Sequence, residues 1–231
     1  MRRSAVIVAG SLVLATTAAC GAAAERVVIA HGSDRYPNTT STDWVTYADH
    51  VVVVEAIEER ALPLAKDDAD SGEGSVDRVV TLQPREVVWS SPDPRHAAPV
   101  AEFDWNAWGW ALQEGERIPM AGEDEPRVEV GHTYLMALVW HPAIEDEPDQ
   151  VIPARWVGLG ADAVIPADDG ILGIGELAGA VRSSPLRVPA SDVNYSLEDE
   201  FAGKTIDDFV ERLESTKPSV REDFGPVTEE S

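Results

Sequence analysis

Four successive valines, Val51 to Val54, open the stretch "VVVVEAIEE". A branched Cβ restricts each side chain against a helical turn but packs well on a pleated surface, so the run reads as a strand. Similar runs recur. Residues 77–89 ("DRVVTLQPREVVW"), 100–112 and 127–141 read as long strands, and residues 155–159 and 163–165 as short ones on either side of Gly160. "ILGIGELAG" adds a short strand and turn. Pro84 lacks a backbone donor and belongs at an edge, a bulge or a bend. Loops fall at residues 66–77 and around Pro92 and Pro94. One helix follows the strands. In "GKTIDDFVERLEST", Ile206, Phe209, Val210 and Leu213 share a face, Thr205 with Asp208 forms a capping box, and Pro218 ends the run. Strands followed by a helix predict a mainly β fold, a single antiparallel barrel or sandwich with one C-terminal amphipathic helix. Prolines and glycines inside the strands suit strong curvature.

The N-terminus has a different character. Arg2 and Arg3 precede an apolar run of about fourteen residues, "AVIVAGSLVLATTA", and small residues follow. This is the layout of a secretory signal, and the run is shorter than the roughly 20 residues that a spanning helix needs. Cys20, the single cysteine, lies directly after it. "TAAC", residues 17–20, resembles the lipobox of bacterial lipoproteins, with Thr17 where leucine is usual. The resemblance implies cleavage before Cys20, a diacylglycerol thioether on its sulfur, and an extracytoplasmic chain anchored to the bacterial cell envelope by lipid. The expected organisation is a signal peptide over 1–19, a lipidated tether over 20–42, a β-rich domain over 43–216 and a flexible tail over 217–231.

The formal charge is -24, and cleavage that removes Arg2 and Arg3 makes it -26. Such a surface repels nucleic acid, which is excluded as a partner. With one cysteine no disulfide framework exists, so the core must come from packing.

No residue pattern points to catalysis. The five histidines, His31, His50, His96, His132 and His141, show no metal-ligand spacing, and His132 and His141 flank one strand too far apart to share an ion. "DDADSGEGSVD", residues 67–77, offers oxygen ligands without the spacing of a calcium loop and reads as a solvated acidic loop. Ser90, Ser91, Asp93 and His96 supply the residue types of a nucleophilic triad, but loops collect these types because they make turns. "GLGADA", residues 158–163, fits a dinucleotide fingerprint on paper, yet a strand rather than a helix follows it. No catalytic residue, metal or cofactor is expected.

The tryptophans carry the functional expectation. "FDWNAWGW" holds three of the seven. Strict alternation puts Phe103, Trp105, Ala107 and Gly109 on one face and Asp104, Asn106, Trp108 and Trp110 on the other. Phe103 marks the first face as core, which leaves Trp108 and Trp110 as candidate ligand-binding residues beside Asp104 and Asn106. "YADHVVVVEAIEE" together with "VVTLQPREVVW" resembles poorly characterised secreted OB-like β-barrel proteins, a resemblance that implies a fold and no activity. The expectation is a lipid-anchored, non-enzymatic binding domain whose partner is a cell-envelope protein or glycan. The alternatives are a small extracytoplasmic hydrolase and a cation binder working through acidic loops.

Overall fold

The computed structural model describes residues 27–64, 71–122, 125–147, 150–173 and 196–225. Cys20, the signal segment and most of the "ILGIGELAG" stretch lie outside them. The elements in chain order are β1 (Val28–Ala30), α1 (Ser41–Tyr47), β2 (His50–Ala61), β3 (Gly74–Ser90), β4 (Phe103–Gln113), β5 (Glu116–Gly122), β6 (Thr133–His141), β7 (Ile144–Glu147), β8 (Gln150–Ile152), β9 (Arg155–Gly158), β10 (Val164–Pro166), α2 (Leu197–Phe201) and α3 (Ile206–Ser215). The fold is mainly β, as the strand pattern predicts. An eight-stranded sheet runs β1-β5-β4-β3-β2-β6-β10, with β9 also paired to β6, and β7 and β8 form a separate hairpin. All pairs are antiparallel except β1 with β5.

The sheet curls into a half-barrel because its long strands are bulged. The β2–β3 register shifts at three places, one of them at Pro84, where the missing donor is harmless. The curl carries Trp105 of β4 toward β9, where a Cβ on Gly158 would stand 3.0 Å from the indole. Inside the curl lie Val52, Val54, Leu82, Trp105, Tyr134, Met136 and Leu138. The opposite face carries Val51, Val53, Leu135, Ala137 and Val139, under Trp44, Phe201, Phe209 and Leu213 of the three helices. The four valines thus alternate between two buried layers, which is why no polar residue interrupts them.

Two capping boxes start the covering helices. Thr205 accepts from the Asp208 N–H at 3.2 Å, and Asp208 accepts from the Thr205 N–H at 3.0 Å. Thr40 and Asp43 do the same for α1, at 3.1 and 2.9 Å. Trp44 of α1 is fully buried, donates from Nε1 to the Asn38 carbonyl at 2.7 Å, and meets Phe209 of α3 edge-on at 4.9 Å. The body therefore reaches back before residue 43. Buried Asn38 donates to Asp34 at 2.7 Å, and Asp34 accepts from the Ala161 N–H at 3.1 Å. Residues 216–225 have no regular structure but are held. Arg221 donates to the Thr46 and Tyr47 carbonyls, and Phe224 packs against Tyr36 and Tyr47. No helix among the described residues is long and apolar enough to cross a membrane.

Candidate functional site

Strand β6 ends at His141, whose cross-strand partner on β9 is Arg155. One residue back, Trp140 faces Trp156 in the next pair, their rings 5.0 Å apart. The two strands thus present an imidazole and a guanidinium side by side at one rim of the sheet. The rim opens into a two-lobed cleft. One lobe, about 390 Å³, lies between the 33–36 segment, the start of β7 and the 155–160 segment. The other, about 500 Å³, lies between Tyr36, Tyr47, Arg95, Trp140 and the 221–225 segment. Tyr36, His141 and Pro142 line both.

Four of the chain's fifteen arginines gather here: Arg35, Arg95, Arg155 and Arg221. Arg35 donates to the Phe224 and Gly225 carbonyls at 3.1 and 2.7 Å. Arg95 meets fully buried Asp49 at 3.1 Å, and Asp49 also accepts from the Trp140 N–H at 2.8 Å. Arg155 is exposed and has no hydrogen-bonding or ion-pair partner among the described residues. Burial, followed by the charges of Arg155, Arg35 and Arg95, pushes the His141 imidazole down to about 4, with Asp49 alone opposing. Its Nε2 atom is buried and has no hydrogen-bond partner among the described residues. Burial and the neighbouring Arg95 also lower the Arg221 guanidinium. In a chain of charge -24, four guanidinium groups thus gather at one corner, beside the carboxylates of Asp34, Asp49, Glu222 and Asp223.

The candidate tryptophans of β4 are separated. The alternation holds through Ala107, with Phe103 and Trp105 packed inside the curl. Between Ala107, opposite Arg78, and Trp110, opposite Val76, β4 carries an extra residue. The bulge centres on Gly109, where a Cβ would stand 1.9 Å from the Val76 carbonyl oxygen, so no other residue allows the strands this close. Past it Trp110 turns to the side of Val76 and Arg78, while Trp108 keeps the side of Asn106. Trp110 is caged by Arg78, Arg117 and Arg127, whose guanidinium carbons lie 5.8, 5.6 and 5.2 Å from its ring. Trp108 lines a pocket of about 440 Å³ with Asn106, Asp77 and Glu125, and donates from Nε1 to the Glu125 carboxylate.

Burial pushes the Glu125 carboxyl up to about 7 from 4.5, although the Trp108 hydrogen bond opposes the shift. Between those values the folded chain holds a proton that the unfolded chain releases. Stability therefore falls as pH rises through this window, and the contribution is gone above about pH 7. The Glu125→Gln variant is expected to lose this slope and to be more stable than the parent at pH 8. Urea unfolding of both chains at pH 5 and pH 8 checks it.

The Ser90 to His96 loop makes a different arrangement from the triad types. Ser91 Oγ accepts from the Asp93 N–H at 3.4 Å, a turn, and the His96 ring stacks on Trp140 at 4.0 Å. Ser90 Oγ instead meets His50 Nδ1 at 2.8 Å across the β2–β3 pair, and His50 Nε2 meets the His96 carbonyl at 2.8 Å. A carbonyl only accepts, so His50 donates to it from Nε2. "GLGADA" ends β9 and enters a single 3₁₀ turn before β10, so no helix N-terminus faces it. His132, just before β6, bonds Asp168 at 2.6 Å, at the far end of the strand from His141. Among the described residues no group of three or more His, Cys, Asp or Glu side chains could hold a metal ion, and Asp67, Asp68 and Asp70 lie outside them.

Sequence reasoning missed the His141 cleft. Its basic side chains come from positions 35, 95, 155 and 221 and its imidazole from position 141, and no local spacing links them. Compared with known proteins, the chain matches no family model, no curated protein and no solved structure.

Proposed function

We propose that this chain is an extracytoplasmic lipoprotein whose β-domain binds a ligand rather than transforming one, and that the His141 cleft is its binding site. One observation carries the site: among the described residues, a buried Nε2 of His141 without a hydrogen-bond partner beside an Arg155 without an ion pair, in a cleft with aromatic walls. Ligand sites combine a concave, largely apolar surface with a few convergent polar groups, and both are present. The address rests on the sequence, where a lone cysteine follows a signal-like run. Two acyl chains at about 0.8 kcal/mol per buried methylene hold a protein firmly at a membrane.

Two measurements test the proposal. Cys20→Ser is expected to move the protein from the membrane fraction to the soluble fraction, and intact mass is expected to lose the diacylglycerol increment. An unchanged distribution with an unchanged N-terminus would sink the anchor. For the site, ring signals of ¹³C-labelled histidine, with His141 assigned through His141→Gln, are followed while an envelope extract is added to the mature protein in detergent. A saturable shift at His141 is expected, and none at any concentration would remove the cleft as the site.

A second reading concerns the Trp108 pocket, where an indole beside Asn106 and Asp77 has the make-up of a surface that stacks a sugar ring. Trp108→Ala would then weaken retention of the protein on envelope glycan while leaving the His141 signals in place.

A further inference from the structure

Resting on the binding reading of the His141 cleft, we infer that its ligand presents an anionic oxygen group, a carboxylate or a phosphate, to Arg155 and to Nε2 of His141. Cations are scarce in this chain, and Arg60, Arg78, Arg85, Arg95, Arg127 and Arg212 each face a carboxylate. Arg60 pairs with Asp104, Arg85 with Glu55 and Arg212 with Glu200, while Arg78 and Arg127 share Glu129. Arg155 and Arg221 both stand at the cleft, and neither meets a carboxylate within ion-pair distance among the described residues. Arg221 spends its donors on the Thr46 and Tyr47 carbonyls, at 3.0 and 3.2 Å.

Three of the acids nearby are turned to other groups, while Glu222 also lines the second lobe. Asp34 is turned to the Asn38 amide and the Ala161 N–H, and Asp49 is buried under Arg95 and the Trp140 N–H. Asp223 accepts from the Gly225 N–H at 2.8 Å. A guanidinium offers a planar fork that matches two oxygens of one carboxylate or phosphate. A neutral imidazole with its proton on Nε2 supplies a further donor from the neighbouring strand. Tyr36, Pro142, Ile144 and Ile152 give the rest of the molecule an apolar wall. Burial first, and then the nearby guanidinium groups, hold His141 neutral, and the exposed Arg155 charge draws an anion in.

The test titrates the mature protein in detergent with sodium phosphate and with sodium acetate, at ionic strength fixed by chloride, and follows the His141 ring. Methyl glucoside and choline chloride are the neutral and cationic controls. A saturable shift with phosphate or acetate is expected, and Arg155→Gln is expected to weaken it about tenfold or more. Arg85→Gln, whose partner Glu55 lies away from the cleft, is expected to leave it unchanged. Vesicles containing phosphatidylglycerol, set against phosphatidylcholine alone, form a separate arm. An Arg155-dependent shift in that arm only would support the inference with a lipid head as the source of the anion. No shift with any anion, or one equal in Arg155→Gln, overturns the inference. If the envelope extract still moves His141, the binding reading survives with a different ligand class. If it does not, both fall.

Discussion

Replacing Arg78 by alanine is expected to cost about 3–5 kcal/mol of folding stability, from a carbonyl left without its donor together with the cavity of a buried stem. Arg78 is 1% exposed. Its guanidinium meets Glu59 at 2.8 Å and Glu129 at 3.6 Å, and donates to the Val128 carbonyl at 2.6 Å. Alanine leaves that carbonyl without its donor, a loss of about 1–3 kcal/mol, and opens a cavity where the aliphatic stem lay. Repulsion between the two abandoned glutamates adds less. Their side chains are 39% and 30% exposed, so water can take over. Arg78→Met separates these causes, since it keeps the stem and removes the charge. The expected result is recovery of roughly half of the loss, read from urea midpoints at unchanged m-value. Methionine as damaging as alanine would put the whole effect on the polar contacts of the guanidinium, and methionine equal to arginine would mean that those contacts contribute nothing.

Trp44→Ala is expected to cost a similar 3–5 kcal/mol, the usual range for emptying a buried aromatic site. Trp44 joins three parts of the molecule. It sits on α1, packs on Phe209 of α3, and bonds the Asn38 carbonyl. Trp44→Phe keeps a ring against Phe209 but loses the N–H, so about 1–3 kcal/mol should remain missing. Hydrogen exchange distinguishes local from global effects. With alanine, the amides of α3 should exchange faster than those of β2 and β6, because α3 loses its partner while the sheet keeps its ladders. Asn38 also bonds Asp34 and the Tyr36 carbonyl, so the same substitution should loosen one wall of the cleft. Uniform exchange throughout would refute this local account.

The long strands and the last helix were legible in the sequence because each is specified by its own residues. The valines of β2, the bulge at Pro84 and the capping box at Thr205 need no distant partner to be read. What was missed divides by cause. Helix α1 carries the same capping signature, Thr40 with Asp43, but spans only seven residues and shows no long periodicity. Strand β5 follows a two-residue turn in which Glu114 and Gly115 both take positive φ, 53° and 80°, a hairpin signal carried by one glycine. The facing of Trp110 failed at the bulge, and an isolated glycine inside a strand is the clue that a backbone approaches closely there. The cleft was beyond local reasoning altogether. Arg155 faces His141 only because β9 pairs with β6 in one register, and a shift of one residue would turn it away.

The second lobe of the cleft takes one wall from residues 221–225, which lie beyond every strand of the sheet. A ribosome adds residues one at a time, so the barrel can pair before that wall has emerged. The lobe is thus closed only after the described strands have been made. A nascent chain halted just after β10 would already have the ten strands of the described residues synthesised, but would lack the lobe.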